Sequence, residues 1–197
     1  IEGAMGLFDG LGSTDFSSTA NVAKVLKLPI IFVIDAKGKV ASLLPILRGF
    51  QDYDHKVSIE GIIFNNVNSM RHQKLINEVF KNESIKILGF LPFNKQISLG
   101  RGNLGLTSPI ELGKIIDVDY YANFAERHLN ISQIVNLLKS PDAEDFKFEY
   151  SNIKKIKDNK PIAIAEDKIF HFQYPETKEY LDEIGIPIIS WNVYEDE

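Results

Sequence analysis

The chain has 197 residues, 44% of them hydrophobic, a formal net charge of −5 and no cysteine. That composition is globular, with enough length for one full core or for one domain and part of another. It excludes disulfides, thiolate metal sites and cysteine nucleophiles within the chain, and its acidic balance argues against nucleic acid or an anionic membrane surface as a partner.

In chain order, Ile1 reads as the stub of a strand, and Glu2 and Asp9 follow in the glycine-rich stretch IEGAMGLFDG. A loop leaving the C-terminal end of a strand is where open α/β sheets bind ligands. Carboxylates there can hold Mg2+ and orient phosphates, or be solvated acids on a glycine turn. The next loop, LGSTDFSSTA, enters a helix ending near Leu26, with Ser18 or Thr19 as N-cap; the free amides of that helix end could also take an anion. Strands are predicted at 29–36 (PIIFVIDA), 57–65 (VSIEGIIFN) and 85–91 (IKILGFL), the second apolar enough to be buried on both faces. Asp35 ends the first, as a site carboxylate or simply as the start of a loop. Leu43, Ile46, Leu47 and Phe50 recur at helical spacing, and another helix is predicted over 70–80 with Ile76, Val79 and Phe80 inward. His72, at its start, is expected to be exposed and inert. Asn65 ends the second strand, where a carboxamide can offer a donor and an acceptor to a purine edge, although asparagine is equally an ordinary turn residue.

Further on, Ile131, Ile134, Val135 and Leu138 predict a helix capped by Asn130 and Gln133. Composition then turns charged, and the run Lys154, Lys155 and Lys157 reads as solvated linker. A strand at 161–165, a helix from Pro175 to Gly185 and a strand at 186–190 follow. The class is α/β, with a parallel sheet flanked by helices and the start of a second α/β domain. The longest apolar run, Leu28 to Ile34, is far short of the ~20 residues of a membrane span. A cytoplasmic setting is the expectation. No triad order, HExxH pattern or GxxxxGK[ST] loop occurs.

Taken together, these stretches resemble the cobyrinic acid a,c-diamide synthase family. IEGAMGLFDG is similar to that family's (V/I)EGxMGL(F/Y)DG, SSTANVAKVLKLPIIFVIDA to its STAxxAKxLxxPVxLVxDA, GIIFNNVNSMRH to its GVIxNxVxSxRH, and IFHFQYPETKEYLDEIG to its FxFxYPxNLELLEAxG. ILGFLP matches a further strand and loop on the nucleotide side. The resemblance is strong to about Gly113 and again from Pro161, and weak between. It implies a P-loop NTPase-like, dethiobiotin-synthetase-like ATPase part at 1–140, a linker at 141–160 and the start of a glutamine amidotransferase-like domain at 161–197. It also implies amidation of the a and c carboxylates of a corrinoid, cobyrinic acid, with ATP, Mg2+ and glutamine or ammonia. A relative acting on another tetrapyrrole such as Ni-sirohydrochlorin would share these motifs.

By the same resemblance Glu2 is a magnesium or phosphate-side carboxylate, and Asp9 serves the nucleotide or the reacting carboxylate. Asn65 reads the adenine, with Leu91 and Pro92 packing near the base. Arg101 to Leu106 stands where the family has RHLGL, with Asn for His and Gly for Arg, and no role is carried onto it. Because the family's phosphate loop precedes the first motif, the chain is expected to be an internal fragment with little catalysis of its own. Self-association through an exposed sheet edge is expected. The contrasting expectation is a non-catalytic binding or scaffold module.

Overall fold

The computed structural model describes residues 1–97, 117–138, 160–167, 169–170 and 173–196. They belong to two compact units, one drawn from Ile1–Ser98 and Asp117–Glu144, the other from Leu99–Ile116 and Asp145–Glu197. The expected linker and the Arg101–Leu106 stretch lie almost wholly outside the described residues. No described helix is long and apolar enough to cross a membrane.

The first unit is built on a parallel sheet of β1 (Ile30–Asp35), β2 (Ile59–Asn65) and β3 (Lys86–Leu91), in that spatial order. β2 lies in the middle and is buried from Gly61 to Phe64, as its unbroken apolar run predicts. α2 (Leu43–Tyr53) and α3 (Met70–Phe80) connect neighbouring strands that step in one direction, so a uniform crossover hand puts both on one face. There Leu43, Leu47, Ile76 and Phe80 pack with Ile34, Ile62 and Phe64. Phe64 stacks on Phe90 at 5.5 Å and meets Phe80 edge-on at 5.1 Å.

The opposite face is covered by Leu129 and the short helix at Ile131–Leu137. Leu137, Ile134 and Leu129 pack on Ile63, Leu88 and Ile31. A side chain at Gly61 would run into Leu88 and Leu137, so glycine permits their close approach to β2.

Several expectations shift for local reasons. Ile1 is exposed and forms no strand, since residues 1–4 have no ladder partner among the described residues. β2 begins at Ile59 because the Val57 amide bonds back to Asp54 in a turn. α4 (Val118–His128) is absent from the sequence reading, because VDYYANFAERH buries no residue and carries no aliphatic stripe. Its readable signals were the Asp117 cap on the Tyr120 amide and the Arg127–His128 pair in its last turn. α5 (Ile131–Leu137) is capped by Asn130, as predicted. Its inward residues are Ile134 and Leu137, whereas Ile131, Val135 and Leu138 are exposed. The cause is a short helix that ends before Leu138 and is held to β3 by Asn130 N–H donating to the Leu88 carbonyl at 2.7 Å.

In the second unit β4 (Ile162–Ala165) pairs in parallel with β5 (Ile188–Trp191), joined through α6 (Pro175–Glu183). β5 starts two residues later than predicted. Ile186 donates its N–H to the helix end at Leu181, and Pro187 has no N–H but accepts from Ile162 through its carbonyl.

Candidate functional site

The three strands of the first unit end side by side. Asp35 pairs with Asn65 in register and Asn65 with Leu91, which brings three chemically distinct residues to the carboxyl edge of the sheet. That edge is where parallel α/β sheets bind ligands. The turns beyond it are tied to one another: Val67 donates to the Leu91 carbonyl at 3.0 Å, and the Phe93 N–H donates to Asn68 Oδ1 at 2.7 Å. Asn65, Leu91 and Pro92 are thus brought together. Pro92 also lines a cavity of about 680 Å³ with Phe93, Asn94, Tyr120, Phe124 and Arg127.

Asn65 Oδ1 accepts the Asn66 N–H at 2.9 Å, and Asn66 Nδ2 donates to Asp35 Oδ1 at 2.7 Å. The Lys37 amide donates to the same Asp35 oxygen at 3.1 Å. Donors from Asn66 first and then Lys37, with Lys39 nearby, hold the Asp35 carboxyl below its ordinary range. His72 departs from expectation. Its ring is half-buried, and Nε2 donates to the Lys39 carbonyl at 2.7 Å, tying the start of α3 to the loop after β1.

The opening loop makes a second cluster. Leu7 is its buried anchor, and its carbonyl accepts from the Ala20 amide at the start of α1 (Thr19–Leu26). Asp9 Oδ2 accepts the Gly6 N–H at 3.0 Å, closing a tight turn. A side chain at Gly10 would strike the backbone of Thr14 and Asp15, so the loop needs glycine there. Ser18, buried, spends its hydroxyl on the Asn21 amide at 3.1 Å as the N-cap. Glu2 and Asp9 line one cavity of about 360 Å³ with Met5, Ser17 and Thr19.

Lys24, near the other end of α1, bonds Asp54 at 2.6 Å and Asp15 at 3.1 Å. Since Asp54 leads into β2, the C-terminal end of α1 lies at the amino edge of the sheet. Its N-terminal end, with the Glu2–Asp9 cavity, therefore points toward the edge that carries Asn65.

The described residues contain no group of three or more His, Cys, Asp or Glu suited to a metal ion. A magnesium ion does not require one, because it takes one or two carboxylates and completes its shell with water and phosphate oxygens. Glu2 is exposed with no partner among the described residues, and Asp9 keeps Oδ1 free beside its one bond to Gly6. Two hard, available oxygen donors on one cavity fit that ion.

In the second unit, buried Asp167 accepts N–H bonds from Ile169 at 2.7 Å, Phe170 at 2.9 Å and Val193 at 3.2 Å, a structural tie between the ends of β4 and β5.

A family model described as an AAA domain matches residues 1–99. The chain belongs to the AAA domain family. In this family the α/β class with a helix-flanked parallel sheet is of the P-loop NTPase type. Along its full length the chain is 35% identical to a cobyrinate a,c-diamide synthase of Caldanaerobacter subterraneus subsp. tengcongensis and 37% identical to one of Limosilactobacillus reuteri. Over 95% of its length it is 33% identical to one of Methanococcus maripaludis. The resemblance carried by the motifs therefore holds along the chain. The chain spans 43% of the first two relatives and 44% of the third. No solved structure matches it.

The sequence offers Asp35 as a site carboxylate or a loop start, but not its link to Asn66 or the Asn68–Phe93 tie. The run NNVNS directly after an apolar strand was the available signal, because asparagine both tolerates left-handed backbone and bonds neighbouring amides.

Proposed function

We propose that this AAA domain supplies the nucleotide side of an ATP- and Mg2+-dependent ligase that amidates the a and c carboxylates of cobyrinic acid, with glutamine or ammonia as nitrogen donor. The observation that carries the reading is the register of Asn65 with Leu91 at the sheet's carboxyl edge, in a chain similar to cobyrinate a,c-diamide synthases. On this reading residues 1–140 belong to the ATP-dependent part and 161–197 open a glutamine amidotransferase-like domain.

Asn65 meets the adenine edge through its carboxamide, and Leu91 and Pro92 pack against the base. Glu2 would hold Mg2+, which when bound supplies charge neutralisation on the phosphates during phosphoryl transfer. Asp9, fixed by the Gly6 turn, orients the nucleotide or the reacting carboxylate with its remaining oxygen. A substrate carboxylate oxygen attacks the γ-phosphorus and ADP leaves. Ammonia then displaces inorganic phosphate from the acyl phosphate to give the amide.

The test gives the full-length protein cobyrinic acid, ATP, Mg2+ and glutamine or ammonia, and follows ADP and the mass of the diamide. Diamide with matching ADP is expected. Glu2→Gln should lower turnover by roughly a hundredfold, as losses of transition-state charge stabilisation do. Absence of both ADP and diamide with the unmodified protein would sink the reading, and amidation of Ni-sirohydrochlorin alone would reassign the substrate.

A further inference from the structure

We propose that Asp35 and Asn66 clamp the Asn65 carboxamide in one orientation, and that this clamp sets a preference for adenine over guanine at the strand ends. The inference rests on the reading of Asn65 as the residue that faces the base.

The chemistry fixes which amide atom is which. A backbone N–H only donates, so the Asn65 atom 2.9 Å from Asn66 N is the carbonyl oxygen. An ionised carboxylate only accepts, so the Asn66 atom 2.7 Å from Asp35 Oδ1 is the amide nitrogen. Neither side chain can flip without putting like groups together. Asn66 has φ 62°, left-handed backbone that asparagine tolerates. Its bond to Asp35 holds it there with its N–H over Asn65.

Asp35 is itself fixed. It takes the Lys37 N–H at 3.1 Å, and Lys39 Nζ reaches its carbonyl at 3.1 Å and its Oδ2 at 3.6 Å. The Lys39 carbonyl is in turn held by His72. The clamp therefore draws on the end of β1, the loop after it, the turn after β2 and the start of α3.

What it leaves exposed is specific. Asn65 Nδ2 has no partner among the described residues, and Oδ1 has spent one of two lone pairs. Adenine presents an N6–H donor beside a ring-nitrogen acceptor, which suits a carboxamide oxygen beside a carboxamide nitrogen. Guanine puts O6 where adenine has N6, so an oxygen would face an oxygen. A free asparagine would answer by rotating its amide, and the clamp denies that rotation.

The experiment measures equilibrium affinities of the full-length protein for ATP and for GTP, each with Mg2+. The unmodified protein is expected to favour ATP. Asp35→Ala is expected to reduce the ATP-over-GTP ratio roughly tenfold, the scale of one bidentate base contact. Asp35→Asn, whose amide oxygen still accepts from Asn66, should keep most of the ratio. Asn66→Gly permits the left-handed backbone and keeps the N–H, but loses the tie to Asp35 that holds them over Asn65. It should reduce the ratio like Asp35→Ala, and it serves as the test if that variant does not fold.

Equal weakening of ATP and GTP, with the ratio kept, is what a merely structural role gives, and it would overturn the clamp. So would an unmodified protein that binds both nucleotides alike. Asn65→Ala separates the two levels. If it weakens ATP while the clamp variants leave the ratio intact, only the clamp fails; if it leaves ATP binding unchanged, the reading of Asn65 fails with it.

Discussion

The two sheets of this chain start from similar sequence and end in different physical states. β2 of the first unit and β4 of the second are both short β-branched runs followed by a loop and a helix. Gly61 through Phe64 are buried, whereas Ile162 is 41% exposed and Ile189, on the neighbouring strand, 52% exposed. The difference lies in what covers them. β2 has a strand on each side, α2 and α3 on one face and Leu137 on the other. Among the described residues β4 and β5 have only each other and α6. An apolar strand is a demand for cover, and burial follows from the neighbours that meet it.

The two units should differ most at Phe64. Its ring is fully buried between Phe80 and Phe90, so Phe64→Ala should cost the first unit about 3–5 kcal/mol through lost transfer energy and a cavity. Ile189→Ala, half exposed already, should cost the second unit under about 1 kcal/mol. Hydrogen exchange of the β2 and β4 amides, read separately, checks both. Similar losses in the two units would mean that the second sheet is covered as well as the first.

Cover also explains what the sequence made legible. Elements that bury a regular stripe, such as α2 with Leu43 and Leu47 or α3 with Ile76 and Phe80, stand out because burial imposes the period. α4 is invisible because it buries nothing, and in α5 the stripe places Ile134 inward correctly but misses Leu137, because a seven-residue helix is oriented by its tie to Leu88 rather than by its own stripe. The same holds at the candidate site. Asn65 was legible as an amide ending an apolar strand. The register that sets it beside Asp35, and the bond from Asn66 to Asp35, were not, since strand register is a tertiary fact that no local pattern encodes.

A second contrast concerns polar ties. Asp167 is buried and accepts the backbone N–H bonds of Ile169, Phe170 and Val193 among the described residues, so Asp167→Ala strands those donors and should destabilise the second unit by about 1–3 kcal/mol. The two strand ends would loosen first, seen as faster exchange at Phe170 and Val193. Asp167→Asn keeps an acceptor oxygen and should recover part of the loss. Equal effects of the two variants would show that charge, rather than hydrogen bonding, holds the tie.

The smallest effect belongs to Lys24, whose ammonium joins Asp54 and Asp15 between α1 and the turn into β2. The Asp54 carboxyl is held below its ordinary range by the hydrogen bond from Lys24 and then the Lys56 amide, and Lys24 is raised by Asp54 and then Asp15. A lowered carboxyl stabilises the fold above its unfolded value of about 3.9, and that stability is lost as pH falls through the folded value. A raised lysine stabilises below about 10.4 and is lost as pH rises through its folded value. The pair should therefore add a shallow plateau to the stability of the first unit between these limits, reduced by salt because the charges reach solvent. Lys24→Met keeps the aliphatic stem, removes the lysine's slope and reduces that of Asp54, which the Lys56 amide still holds down. Thermal unfolding of the two proteins at pH 3, 7 and 11 should differ most at pH 7. A difference that persists unchanged at pH 3 and in high salt would show that pairing of the Lys24 charge with Asp54 and Asp15 is not what stabilises the first unit at this position.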